Sequence, residues 1–108
     1  KNRERGEELR FEMSQELQFK CEARRNRLLG EWLAHKFGLT TDDAEAYVKD
    51  VIGSDLKEPG IDDIVGKVMA DIEERKAGIS EDEVRTEMDR LFAVAAEQVK
   101  NGFKSDTL

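Results

Sequence analysis

An all-α fold, a four-helix bundle with a long first helix and a mobile N-terminal arm, is what the sequence predicts. Three observations carry this. Glu, Lys, Arg, Ala and Leu dominate the composition and Pro occurs once, a balance that favours helices. Apolar residues recur at three- and four-residue steps, with no alternating run of the kind a strand needs. Gly38, the Glu58-Pro59-Gly60 stretch, Gly78 and Gly102 cut the chain into helix-length segments. The 108 residues suit one domain. With 38% apolar and 40% charged residues, its core must be lean and its surface heavily solvated.

The first segment runs from about Glu7 to Phe37. Leu9, Met13 and Leu17 recur at four-residue steps; Leu28, Leu29, Trp32, Leu33 and Phe37 follow more densely. Gly38 is a natural stop, with Lys36 in the last turn. Thr40 is placed to cap a second helix whose first turn carries Asp42 and Asp43, and whose apolar face is Ala44, Tyr47, Val48, Val51 and Ile52. Gly53 to Gly60 reads as a turn, since Pro cannot continue a helix. A third helix starts near Asp62, with Ile61, Ile64, Val65, Val68, Met69 and Ile72 on one side, and Gly78 is expected in the left-handed region after it. Ser80-Glu81-Asp82-Glu83 is a capping box, and Ile79 with Val84 forms a hydrophobic staple. Val84, Met88, Leu91, Ala95 and Val99 then line a fourth helix, with Phe92 beside them. Short connections favour antiparallel neighbours in a bundle.

The domain boundaries follow from the density of apolar residues. Residues 1–18 are an arm, residues 19–102 the bundle and residues 103–108 a frayed tail. The arm is charge-dense with isolated apolar residues, too few to be an evident part of the core. It reads either as a solvated helical extension or as a segment that becomes helical on a partner's surface.

Net charge is −7, which argues against a generic nucleic-acid binder, whose affinity comes largely from phosphate neutralisation. Residues 1–27 depart from this, with eight basic against six acidic side chains. Cys21 is the single cysteine, so no intramolecular disulfide forms and a reducing cytoplasm fits. No apolar run approaches the roughly 20 residues that span a bilayer, and no signal-peptide pattern is visible. The chain opens on Lys1 and not Met, so a few further residues are expected ahead of it.

Chemistry is hard to find. There is no Gly-rich phosphate loop, no Cys pair and no two-His zinc motif. His35, the single histidine, reads as a packing or surface residue rather than a catalytic base. Asp42/Asp43 and Asp62/Asp63 suit helix starts, where carboxylates complement the dipole, better than a metal site. No catalytic residue, cofactor or metal is expected, and the protein does not read as an enzyme. The basic group Arg24, Arg25 and Arg27 has three readings: solvated surface, pairing with the acidic body, or an anion or nucleotide-phosphate site.

Arg3-Glu4-Arg5, Phe19-Lys20, "ARRNRLLGEW" at residues 23–32, Gly38, Ala46-Tyr47, Pro59-Gly60, Asp62-Asp63 and Lys67-Val68 together resemble the zeta-subunit family of small ATPase inhibitors from alphaproteobacteria. The resemblance spans about Arg3 to Lys100. It departs from the family's usual pattern at Gly6-Glu7, at Met13-Ser14 and at Glu31. The resemblance implies a four-helix bundle that binds the catalytic head of the F-type ATP synthase and suppresses ATP hydrolysis, without inserting into the membrane. It places the protein in the cytoplasm, peripheral to the inner membrane through the synthase. It implies that the arm enters the interface between catalytic and non-catalytic subunits, reaches the rotor shaft and blocks rotation. The arm residues expected to make those contacts are Arg3, Glu4, Arg5, Leu9, Phe11, Met13, Leu17 and Phe19. The alternative is a helical regulator that binds nucleotide weakly through Arg24, Arg25 and Arg27 and does not act on the synthase.

Overall fold

The computed structural model describes residues 14–57 and 60–102. These form four helices: α1 (Gln15–Phe37), α2 (Thr41–Lys57), α3 (Ile61–Glu74) and α4 (Glu81–Lys100). α1 packs on both α2 and α4, and α3 closes the bundle against α2 and, more sparsely, α4. There is no strand among the described residues.

Local chemistry sets most of the helix ends. At the end of α1, Gly38 sits in the left-handed region at φ 71°, its N–H bonded to the His35 carbonyl. The Leu39 N–H reaches back to the Ala34 carbonyl at 3.1 Å, completing a Schellman motif that turns Leu39 onto the core. Thr40 Oγ1 accepts from the Asp43 N–H at 3.3 Å, as a cap should. Ser80 Oγ accepts from the Glu83 N–H at 3.1 Å, and Ile79 and Val84 are both buried, so the staple forms as expected.

Three details differ from the sequence reading. α1 starts at Gln15 and not near Glu7: Ser14 has extended backbone (φ −64°, ψ 161°) and its hydroxyl accepts from the Leu17 N–H at 3.1 Å. Residues 7–13 of the expected helix lie outside the described residues, and residues 15–18 are helical, as the expected first helix has them. The turn expected from Gly53 is absent there, since α2 continues to Lys57. One internal glycine costs a helix only about 1 kcal/mol, which packing on either side outweighs. After the third helix a left-handed residue comes two positions before Gly78: Lys76, at φ 52°, with the Ala77 N–H bonded to the Ile72 carbonyl. Gly78 is also left-handed, at φ 71°.

The main core joins Leu29 and Leu33 of α1, Tyr47 and Val51 of α2, Ile64, Val65, Val68 and Ile72 of α3, and Val84, Met88 and Leu91 of α4. A second, smaller cluster holds Cys21, Phe92 and Ala96, with Leu17 and Val99 packed on it. Gly53 and Gly66 lie in helices with open space where a Cβ would sit. Gly53→Ala and Gly66→Ala are therefore each expected to stabilise the fold by about 1 kcal/mol, raising the thermal midpoint by about 4–8 °C apiece. Thermal unfolding followed by circular dichroism checks this.

Candidate functional site

Ser14 caps α1, whose first turns are the described part of the candidate site. Arg3, Glu4, Arg5, Leu9, Phe11 and Met13 lie outside the described residues. Leu17 and Phe19 are described, and α1 turns them different ways. Leu17 is half-buried against Cys21, Phe92 and Ala96. Phe19 is 60% exposed, a large apolar ring on the helix surface. Around it stand Glu16 and Lys20, exposed and paired at 3.9 Å.

The three arginines diverge. Arg24 Nε donates to Gln98 Oε1 of α4 at 2.6 Å. Arg27 points the other way, to Glu45 of α2 at 3.2 Å and to Glu31 one turn ahead at 3.3 Å. Arg25 is buried, 2% exposed, and donates through Nε and Nη2 to Asn26 Oδ1 at 3.2 and 3.0 Å. Of the three readings of this cluster, pairing with acidic side chains of the bundle describes Arg27. The cluster does not converge on one point of the surface.

Sequence reasoning passed over a polar cluster that pins α2 to α3. Tyr47 Oη donates to Asp71 Oδ2 at 2.8 Å. Lys67 Nζ bridges Asp71, at 2.8 Å, and Asp50. The ammonium also stands 5.5 Å from the Tyr47 ring centroid, a cation–π contact. Phe37 meets Tyr47 edge-on at 5.4 Å, and Arg75 covers the Phe37 ring at 5.0 Å. Burial, then the bond to Asp71, pushes the Tyr47 hydroxyl far above its ordinary pKa. Burial pulls Lys67 down, but Asp50 and Asp71 outweigh it and the net shift is upward. The four-residue step from Lys67 to Asp71 was the available signal, and it is a common one on helix surfaces. His35 is exposed at the other end of α1, far along the helix from Cys21, and its neighbours on α1 include exposed Lys36.

Among the described residues no group of three or more His, Cys, Asp and Glu side chains is placed to hold a metal ion. No described helix is long and apolar enough to cross a membrane. The described residues thus form a small all-α bundle with side-chain ion pairs both within its helices and between them. The sequence model of the family described as ATPase inhibitor subunit zeta matches residues 1–98, and the chain belongs to that family. A search of curated proteins gives no match. Among solved structures, a protein determined by solution NMR is similar to this chain: 40% identical, with a TM-score of 0.68, over 79% of this chain and 96% of that one.

Proposed function

We propose that the chain inhibits ATP hydrolysis by the F-type ATP synthase, with residues 1–18 as the inhibitory element and the bundle as the docking body. The family match carries this reading, because it includes the arm as well as the bundle. The arm enters the interface between catalytic and non-catalytic subunits and reaches the rotor shaft, so that the interface cannot complete its opening and closing. Such a role uses no catalytic residue, cofactor or metal. Phe19, exposed at the root of the arm, is an apolar anchor available to a partner.

Docking through the bundle gives the arm a high local concentration. That offsets the backbone entropy of ordering it, about 1–2 kcal/mol per residue. The test uses a truncation ending just before Ser14, which keeps the α1 cap and every described helix. Full-length protein is expected to suppress hydrolysis by the cognate synthase. The truncated form is expected to need about a 100-fold higher concentration or more. Equal potency of the two forms would remove the arm from the mechanism, and no inhibition by either would remove the function.

A further inference from the structure

α1 is held to the bundle by two unequal pieces of apolar surface. From Leu29 onward its seam belongs to the main core, where Leu33 and Ala34 are also buried. Ahead of Arg25 it offers only fully buried Cys21 and half-buried Leu17, against Phe92, Ala96 and Val99 of α4. Between the pieces lie Arg25 and Asn26, both buried and hydrogen-bonded to each other. A polar pair set into the seam interrupts its apolar surface, and a buried hydrogen-bonded pair gains less on burial than carbon does.

Arg24 ties the outer piece to Gln98 of α4. The Gln18–Glu22 and Glu16–Lys20 pairs stay within α1, so they favour helix without favouring docking. Elements with few buried apolar contacts open locally at lower free energy than the whole domain.

We propose that Gln15–Arg24 detaches from α4 as a unit while the rest of the bundle stays folded, lengthening the segment that a partner can receive by nearly three helical turns. The opening rests on the bundle's own packing; its use as added reach rests on the inhibitor reading above. The detached piece presents Leu17 and Cys21 together with Phe19, so a helix that was apolar on its docked side becomes free to bind elsewhere.

Cys21, the single cysteine, reports this opening. It is fully buried when docked, and burial raises its thiol pKa, partly opposed by Lys100. A thiol reagent therefore reaches it only after the segment lifts. The full chain, without synthase, is treated with a chromogenic disulfide reagent across urea concentrations below the unfolding transition. Labelling is expected to depend on urea much less steeply than global unfolding does, because little surface is exposed. Gln98→Ala is expected to speed labelling about 3- to 10-fold, the effect of one lost hydrogen bond.

Ile64→Val weakens the main core through a residue that the lifting segment does not touch. It is expected to leave labelling without urea unchanged while lowering the global midpoint. The proposal is overturned if labelling follows the global urea slope, or if Ile64→Val speeds it by the about 2- to 12-fold that global opening would give. Labelling is read on the free protein, so its failure leaves the inhibitor reading standing, and failure of inhibition leaves the labelling result standing.

Discussion

Gly30→Leu is expected to lower the stability of the bundle by about 3 kcal/mol, read as a fall in the urea midpoint at unchanged slope. Gly30 lies in the second half of α1, between buried Leu29 and buried Leu33. A Cβ placed there meets the Cα of Val48 at 3.0 Å and its Cγ2 at 3.2 Å. The first of these atoms is backbone and cannot swing aside as a side chain can. The α1–α2 seam therefore depends on the missing side chain for its closeness. Alanine at Gly30 gains about 1 kcal/mol of helix propensity but must move α2 by a few tenths of an ångström. Leucine adds three more carbons with nowhere to go. The contrast with Gly53 and Gly66, where a Cβ meets open space, makes the prediction sharp: the same type of change reverses sign with position. If Gly30→Leu folds with undiminished stability, the close approach of α1 and α2 is not as described.

Raising the pH is expected to unfold the bundle above about pH 10, the range in which unfolded tyrosine and lysine lose their protons. Burial and the Asp71 carboxylate hold the Tyr47 proton in the folded chain beyond that range. The net effect on Lys67 is in the same direction, since Asp50 and Asp71 outweigh its burial. For both groups the folded pKa exceeds the unfolded one. Their contribution to stability is therefore complete below about pH 10 and is lost as pH rises toward the folded values. Tyr47 is the chain's single tyrosine, so tyrosinate absorbance belongs to it alone. Absorbance is expected to rise together with loss of helical circular dichroism. A tyrosine that ionises at its ordinary pKa while the helices remain would contradict the buried Tyr47–Asp71 bond. Tyr47→Phe is expected to cost about 1.5–3 kcal/mol at neutral pH, the range for a hydrogen bond to a charged group. It should also remove the tyrosine part of the alkaline loss and leave that of Lys67.

The fold was readable where its determinants are local. Gly38, Thr40, Ser80 and the Ile79–Val84 staple each act within a few residues, and each does in the structure what its type and position predict. Gly53 misled because its local cost is small beside the packing of a long helix. Lys76 was hidden because a left-handed lysine has no signature in sequence. Ser14 was passed over because the apolar step from Met13 to Leu17 suggested a helix running through it.

The candidate site was less legible. Residue type left Arg25 open among solvated surface, pairing and an anion site and gave no signal for Asn26, and both are buried. Leu17 and Phe19, grouped as partner contacts, face different surroundings, and only the helix phase relative to α4 decides which one is covered. Such facts depend on the neighbour a helix meets, and the periodicity of one segment does not specify its neighbour.

The uneven attachment of α1 has a mechanical consequence. The helix that continues from the arm is also the one gripped on two sides, by α2 and α4. If a turning rotor pulls on an engaged arm, the load enters the bundle along the α1 axis. Past Arg25 it meets Leu29 and Leu33 together, in shear, with α2 and α3 fixed to each other by Lys67. Contacts loaded in parallel share the force and fail together, at a higher load than contacts peeled one by one. The body would thus act as a stopper that yields last at its centre, however readily its first turns give way.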